Sequence, residues 1–318
     1  MTFLTSIEMC AGAGGQALGL EMAGFEHEVL VEIEPPACAT LRLNRPQWNV
    51  QEGDLRQFNA LPFFGIDLVA GGVPCPPFSQ AGKQLGPDDE RDLFPEAIRI
   101  VDECRPKAIM LENVRGLLDP KFEAYRGFIS GELKKLGYLS DWRLLNASDF
   151  GVSQLRPRVI FVAIREEISE NFSWPEPNKI APLTVGELLH DLMSEEGWRG
   201  ADHWKTIANT IAPTLVGGSK KHGGPDLGPT RAKKAWASIG VCGMGIANSA
   251  PSEYFEGMPR LTTRMAARVQ GFPDHWQFFG KKTAAYRQIG NAFPPPVAAA
   301  VAKQIHLALQ TKKLIQVA

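Results

Sequence analysis

The sequence lacks the features of a secreted, disulfide-stapled or membrane-spanning protein. Its 318 residues include 5 cysteines, an odd number without a Cys-x-x-Cys pair, which excludes a disulfide scaffold and argues against a structural zinc or another metal site. No apolar run approaches the roughly 20 residues that span a bilayer. The first ten residues contain neither a basic region nor a cleavage signature. We therefore expect a cytoplasmic protein that does not bind a membrane.

The net charge is also small. The formal value is −1 at pH 7, which taken alone argues against a nucleic-acid-binding protein. The basic residues nevertheless gather in two clusters late in the chain. For either cluster taken alone, a solvated surface is the simpler interpretation. The first cluster comprises Lys220, Lys221, Arg231, Lys233 and Lys234, and the second comprises Arg260, Arg264 and Arg268.

Strand-like and helix-like segments alternate from the start of the chain to about residue 165. The hydrophobic content of 44% is enough for a full core, and the alternation predicts an α/β fold with a doubly wound, mostly parallel sheet. From Ser173 to Gly257 these periods fade apart from a short predicted helix at residues 185–192. We therefore predict a smaller inserted domain at 173–268, within a main domain formed by 1–172 and completed by 269–318.

A glycine-rich turn follows the first predicted strand. The strand covers residues 6–10, the sequence AGAGG covers residues 11–15, and a predicted helix covers residues 16–23. This arrangement brings backbone N–H groups close to a ligand. Gly12, Gly14 and Ala17 satisfy the dinucleotide-binding spacing G-x-G-x-x-A. The turn alone therefore does not show whether the protein binds NAD or S-adenosylmethionine, and a glycine turn that binds no cofactor is a third interpretation.

Acidic residues follow the next two predicted strands. Glu32 ends the second, at residues 27–33, and a carboxylate there accepts both ribose hydroxyls of a nucleoside in many α/β folds. Asp54 lies in the sequence GDL after the third, at residues 48–51. A surface turn is the simpler interpretation of Asp54 taken alone.

The sequence GGVPCPPFS, at residues 71–79, holds one cysteine between prolines directly after an apolar run. The prolines fix their own φ and push the preceding residues towards extended geometry, so the loop that carries Cys75 is predicted to be stiff. A proline-rich turn with an incidental cysteine is the competing interpretation. The sequence LENV, at residues 111–114, follows another predicted strand and places Glu112 across the same crevice. A thiol facing a carboxyl group indicates covalent chemistry with a proton donor.

Basic residues mark two further segments. Arg156 and Arg158 in QLRPR are two residues apart on a predicted extended segment, so both are expected to address one target; a salt-bridged strand edge is the alternative. Residues 217–236 mix glycines, cations and an aromatic, which suits a loop that tracks phosphates and base edges, with a disordered charged loop as the alternative. Arg260, Arg264 and Arg268 are predicted to form one stripe on a helix that follows a threonine cap.

The ordered set AGAGG, GDL, PC, ENV, QxRxR and GNA resembles the bacterial DNA (cytosine-5)-methyltransferase family. The match covers the first and last thirds of the chain. Three positions depart from the family pattern: Cys10 replaces an aromatic, Pro76 replaces a glutamine, and Met265 replaces a glutamate. Methylases of exocyclic amines also use a Pro-Pro-aromatic loop, but Cys75 stands here where those enzymes carry Asp, Asn or Ser.

The resemblance implies a Rossmann-like methyltransferase sheet with an inserted DNA target recognition domain. It implies a Cys75 nucleophile, a Glu112 proton donor, loop support by Asn113, and orientation of the target base by Arg156 and Arg158. S-adenosyl-L-methionine would be the methyl donor and S-adenosyl-L-homocysteine the product. The implied cofactor contacts are Cys10, Ala11, Gly12, Gly14, Gly15, Glu32, Ile33, Asp54, Leu55, Pro74, Leu93, Asn291 and Ala292. The implied DNA contacts are Ser79, Gln154, Thr214, Lys220, Lys221, Arg231, Lys233 and Arg264.

The implied partner is double-stranded DNA, bound by a monomer in the cytoplasmic nucleoid. The resemblance also allows a cognate restriction endonuclease as a second partner. Three alternatives stay open: an RNA (tRNA) cytosine-5 methyltransferase, a DNA-binding regulator without turnover, and a nicotinamide-dependent dehydrogenase built on the glycine turn. The dehydrogenase would leave the Pro-Cys loop unexplained.

Overall fold

A seven-stranded β-sheet forms the centre of the first of the two units into which the chain divides. The structure, a computed structural model, describes residues 3–74, 92–217 and 226–315. The first unit comprises Met1–Leu145, Pro157–Glu176 and Val297–Ala318, and the second comprises Asn146–Arg156 and Pro177–Pro296. The strands are β1 (Leu4–Met9), β2 (Phe25–Glu32), β3 (Val50–Glu52), β4 (Leu68–Gly71), β5 (Ala108–Val114), β6 (Tyr138–Asn146) and β7 (Pro157–Arg165). The helices are α1 (Gly15–Met22), α2 (Pro35–Asn44), α3 (Phe94–Cys104), α4 (Glu123–Lys135), α5 (Val185–Met193), α6 (Ala201–Ile207), α7 (Thr230–Ala237), α8 (Thr263–Val269), α9 (Lys282–Asn291) and α10 (Pro295–Ile315).

The strand order is β3-β2-β1-β4-β5-β7-β6. Strands β1 to β5 pair in parallel, and β7 runs antiparallel to β5, which confirms the predicted doubly wound, mostly parallel sheet. The chain order reverses between β1 and β4. Open α/β sheets bind ligands at such a switch point, outside the carboxyl ends of the strands. The segments that follow Met9 and Gly71 border this position.

Apolar side chains of the central strands pack with those of α3 and α4. Ile7, Val69 and Ile109 are fully buried in one cluster with Ile100 and Ile129. Parallel strands covered on both faces are nearly continuous apolar runs, which is why the sequence pattern predicted these strands.

A histidine side chain links β1, β2 and α1. His27 Nδ1 lies 2.9 Å from the Ser6 hydroxyl, and Nε2 lies 3.0 Å from the carbonyl oxygen of Ala17. Because a carbonyl only accepts, the ring proton is on Nε2. Burial lowers the pKa of His27 to about 4, so the ring is neutral at pH 7.

Two element boundaries differ from the sequence-based prediction. LENV, predicted to follow a strand at residues 108–110, is itself the end of β5, because β7 pairs with β5 as far as Val114. The sequence GNAFPPP predicts a tight turn at Gly290 and Asn291 and a helix that starts at the prolines. Gly290 and Asn291 are instead the last residues of α9, since the N–H of Ala292 still donates to carbonyls of that helix. The next helix, α10, does start at the prolines.

The second unit contains helices α5 to α9. α5 begins with a capping box formed by Thr184 and Glu187, and it packs on α6 and α8. The sequence did not predict α6 and α7. Residues 146–156 and 269–296 belong to this second unit, whereas the sequence-based boundaries assign them to the main domain. As a division by function, the sequence-based boundaries stay a prediction. Within the described residues, no helix is both long and apolar enough to cross a membrane.

Candidate active site

The turn after β1 contains three residues with positive φ. Cys10, Gly12 and Gly14 have φ of 52°, 54° and 84°, a region that glycine adopts without steric cost. The N–H of Ala11 donates to the carbonyl of Val31 at 3.1 Å, which ties the turn to β2. No heavy atom lies within 4 Å of the position that a Cβ on Gly12 would occupy. The turn therefore leaves open space at the switch point.

Glu32, the last residue of β2, is bound to the same turn. Its Oε2 accepts the N–H of Gly12 at 2.7 Å, and its Oε1 accepts the N–H of Glu34 at 2.8 Å. Burial raises the pKa of Glu32, and the backbone N–H groups of Glu34, Gly12 and Ile33 oppose that rise. A carboxylate has about four acceptor positions, so the oriented carboxyl group can still accept a hydrogen bond from a hydroxyl group beside the glycine turn.

The ends of β2 and β3 add an apolar surface and a second carboxylate. Ile33 is 57% exposed. The N–H of Gly53 donates to Glu32 O at 2.9 Å, which places Asp54 next to the end of β2. Asp54 caps a short 3-10 turn that begins at Leu55, and Leu55 is buried. An exposed apolar side chain, two carboxylates and open space at a glycine turn fit the base and ribose of an adenosyl group.

The Cys10 thiol lies in an acidic environment. Burial, followed by the charges of Glu32, Glu8 and Asp54, raises its pKa far above the ordinary thiol value. Because the thiolate is the nucleophilic form, Cys10 is not a candidate for covalent chemistry.

Glu112 and Arg158 form a buried ion pair between β5 and β7. Arg158 Nε lies 2.7 Å from Glu112 Oε1, and both side chains are less than 15% exposed. Burial lowers the pKa of Arg158, and the charge of Glu112 opposes that shift. Arg158 also donates to the carbonyl of Pro157 at 2.9 Å. The carboxyl group of Glu112 is therefore fixed on a rigid strand.

The end of β4 lies beside this ion pair. Asn113 Nδ2 donates to the carbonyl of Val73 at 3.0 Å, and a Cβ on Gly72 would lie 3.4 Å from Glu112 Oε2. Pro74, which is exposed, is the next residue and directly precedes Cys75 in the sequence. The structure thus brings Glu112 and Asn113 together with the segment that leads to Cys75.

Four predicted site residues lie outside the described residues: Cys75, Ser79, Lys220 and Lys221. Leu93, a predicted cofactor contact, is partly buried against the apolar core of the first unit.

Arg156 has partners different from those of Arg158. Its guanidinium, which is 1% exposed, donates to the carbonyls of Leu215 and Gly290 at 2.8 Å and of Ala292 at 3.0 Å. Residues two apart in a strand point to the same face, but this rule does not apply to Arg156, because β7 begins at Pro157. The expectation that both arginines address one target is therefore not met here, and a catalytic role for Arg156 stays a prediction.

Gln154 joins this network. Its Oε1 accepts the N–H of Leu215 at 2.8 Å, and its Nε2 donates to Gln270 Oε1 at 2.8 Å. Gln270, which the sequence patterns did not single out, donates to the carbonyl of Ala292. No sequence period marks Gln270, since its partners are distant in the chain. Thr214 donates its hydroxyl to the carbonyl of Leu155.

The predicted DNA-contacting cations differ in their pairing. Lys233 lies 2.7 Å from Asp226. Arg264 lies 3.1 Å from Glu195 and pairs more loosely with Asp274. The predicted three-arginine helix stripe is wrong, because Thr262 caps α8 and Arg260 precedes the helix.

Two arginines of the predicted basic clusters, Arg231 and Arg260, have exposed side chains. Within the described parts of the chain, Arg231 and Arg260 make no ion pair. These two side chains are therefore the better placed to meet phosphates.

The comparisons with known proteins agree with this geometry. Residues 4–307 match the model of the family described as C-5 cytosine-specific DNA methylase. The chain is 64% identical over 310 residues to Type II methyltransferase M.NgoMIV of Neisseria gonorrhoeae, covering 96% of this chain and 98% of that one. It is 56% identical to M.NaeI of Lentzea aerocolonigenes, covering 97% and 76%. A candidate DNA modification methyltransferase of an Escherichia coli prophage matches with a TM-score of 0.69 at 26% identity, covering 96% and 99%.

The sheet order, the glycine turn at its switch point and the carboxylate at the end of β2 define a class I, Rossmann-like methyltransferase fold. The chain belongs to the C-5 cytosine-specific DNA methylase family and is a bacterial DNA cytosine-5 methyltransferase of the restriction-modification type.

Proposed function

We propose that the enzyme methylates carbon-5 of a cytosine that is flipped out of a specific duplex DNA sequence, through a covalent bond between Cys75 and carbon-6. One observation carries the proposal. Glu112 is held by Arg158, and Asn113 is bonded to Val73 in the segment that leads to Cys75.

The proposed cofactor is S-adenosyl-L-methionine, which is converted to S-adenosyl-L-homocysteine. Glu32 accepts the ribose hydroxyls, Asp54 binds the adenine amino group, and Ile33 packs on the adenine. When bound, the cofactor supplies an electrophilic methyl group on a sulfonium sulfur. The further proposed contacts are Cys10, Ala11, Gly12, Gly14, Gly15, Leu55, Pro74, Leu93, Asn291 and Ala292.

The side chains activate the cytosine ring. The thiolate of Cys75, whose unperturbed pKa is about 8.5, adds to carbon-6. Glu112, which takes up a proton from water when the base enters the site, donates it to ring nitrogen-3, so the addition gives a neutral enamine with a nucleophilic carbon-5. Arg158 orients the ring and holds Glu112. After methylation, water removes the carbon-5 proton, the bond between sulfur and carbon-6 breaks to return the thiolate, and the proton on ring nitrogen-3 returns to the carboxylate of Glu112.

The target base has to leave the duplex, because the thiolate attacks from above the ring plane, where a stacked base is covered. The proposed DNA contacts are Ser79, Thr214, Lys220, Lys221, Arg231, Lys233 and Arg264, and we add Arg260 because its side chain is exposed. Gln154 is not among them, because it is fully buried and its amide is bonded to Leu215 and Gln270. We propose that the enzyme acts as a monomer on nucleoid DNA in the cytoplasm, alongside a cognate restriction endonuclease.

Uptake of tritiated methyl groups tests the substrate class. The purified enzyme should label duplex DNA and not tRNA, and bisulfite sequencing of a plasmid from expressing cells should show modified cytosine at one recurring sequence. Labelling of tRNA alone would replace this proposal with the RNA methyltransferase alternative.

A further inference from the structure

Two glycines of the second unit lie against each other with no room for a side chain. A Cβ on Gly290 would lie 2.5 Å from the nitrogen of Gly217 and 3.0 Å from the carbonyl carbon of Val216. A Cβ on Gly217 would lie 2.7 Å from the carbonyl oxygen of Arg287. Neither glycine has a positive φ. Glycine is therefore required here by the close approach of two backbones.

Residues 215–217, which we name the strap, are also clamped to the end of α9 by one buried charge. Arg156 donates to Leu215 in the strap and to Gly290 and Ala292 at the helix end. A guanidinium presents five donors in a rigid planar fork. A lysine ammonium at this position would not bridge the same three carbonyls.

Buried amides close the network. Gln154 accepts the N–H of Leu215 and donates to Gln270, and Gln270 donates to the carbonyl of Ala292. Both glutamines are fully buried. Buried hydrogen-bond networks of this kind favour one arrangement, so the strap and the helix end are held together.

We infer that the strap is a positioning element for the cofactor, because the network that holds it also binds the carbonyl of Ala292, and Gly217 lies against the side chain of Asn291. This inference rests on the proposed function, which makes these two residues cofactor contacts. A Cβ on Gly217 would overlap Asn291 Oδ1 directly, and Ala292 O accepts from both Arg156 and Gln270. Small displacements of positioning groups cost large factors in binding and rate. The strap thereby sets cofactor affinity without touching the cofactor.

Gly217→Ala and Arg156→Lys test this role. We expect both variants to bind S-adenosylhomocysteine at least tenfold more weakly than the wild type in calorimetry. The KM for S-adenosylmethionine should rise by a similar factor, with a smaller change in kcat. Gly245→Ala is the matched control in the same unit, since its Cβ would make only ordinary contact, 3.5 Å from the end of the Arg260 side chain. It should bind like the wild type.

The readouts separate this role from others. If the variants melt within a few degrees of the wild type and bind S-adenosylhomocysteine normally, the strap inference is overturned. A lower kcat for Arg156→Lys with unchanged cofactor affinity would also overturn it, and would favour a base-orienting role. If Gly217→Ala does not fold, Arg156→Lys decides. Failure of the wild type to bind S-adenosylhomocysteine would instead overturn the proposed cofactor.

Discussion

Single residues determine the chemistry through fixed geometry rather than unusual reactivity. The carboxyl group of Glu112 is anchored by Arg158 at 2.7 Å. In a buried pair, loss of one partner leaves an uncompensated charge at a cost of about 3–5 kcal/mol. Substitution of Arg158 would therefore lower the stability of the fold as well as the catalytic rate, and the two effects could not be told apart. Glu112 can be changed more conservatively, because glutamine keeps its shape and can still accept from Arg158.

Glu112→Gln should lower kcat by about 10²–10⁴-fold, because an amide does not donate the proton that ring nitrogen-3 needs. Affinity for S-adenosylhomocysteine should stay unchanged, since Glu32 and Asp54 are untouched. Single-turnover methyl transfer and calorimetry measure the two quantities. Wild-type rates would remove Glu112 from the chemistry.

Glu8 is a fully buried carboxyl group in β1, and within the described residues neither of its oxygens has a hydrogen-bond partner. Burial raises its pKa well above the usual value. The native state therefore binds a proton that the unfolded state loses above about pH 4.5, so stability falls as the pH rises.

Glu8→Gln should remove that dependence and raise the free energy of unfolding at pH 8 by about 1 kcal/mol or more. The gain should shrink towards pH 4.5 in urea denaturation. Glu28→Gln, at an exposed position of β2, is the control and should have little effect. If Glu8→Gln were less stable than the wild type at pH 8, the carboxyl group of Glu8 would have to be ionised in the native state and stabilised by its surroundings.

At the scale of elements, the sequence predicted those that bury continuous or periodic apolar faces. β1, β2, β4, α3 and α4 were found for this reason. The short helices α6 and α7 were missed because one or two turns carry too little periodicity. The clamp of Arg156 was unpredictable for a different reason: its partner Gly290 is 134 residues away, and only the folded chain brings them together.

His27 joins β1, β2 and α1, and its contribution should depend on pH. Its pKa is about 4 when folded and about 6.5 when unfolded. Because the unfolded state binds more protons between these values, stability should be complete above pH 6.5 and fall as the pH drops to 4, by at most about 3 kcal/mol. A His27→Gln variant should lose less stability than the wild type over this range in urea denaturation. Equal losses would contradict the shift.

At the scale of the whole molecule, a net charge of −1 means that DNA binding depends on where cations are free rather than on their number. Arg260 makes no ion pair within the described residues, whereas Arg264 shares its charge with Glu195 and Asp274. The two arginines therefore form a matched pair for mutation.

Arg260→Ala should weaken DNA binding and lower the slope of log K against log salt by about 1. Arg264→Ala should change both by less, since the guanidinium of Arg264 is already paired with Glu195 and Asp274 and is less available to a phosphate. Fluorescence anisotropy across a salt series measures both slopes. The reverse ranking would show that the ion pairs of Arg264 open when DNA binds.

The central claim is a covalent bond between one sulfur atom and a flipped cytosine. A duplex that carries 5-fluorocytosine at the methylated position blocks release, because fluorine does not leave as a proton does. Incubation with S-adenosylmethionine should give a denaturation-resistant adduct that mass spectrometry maps to Cys75. A duplex that is bound and methylated without any adduct at Cys75 would contradict the account.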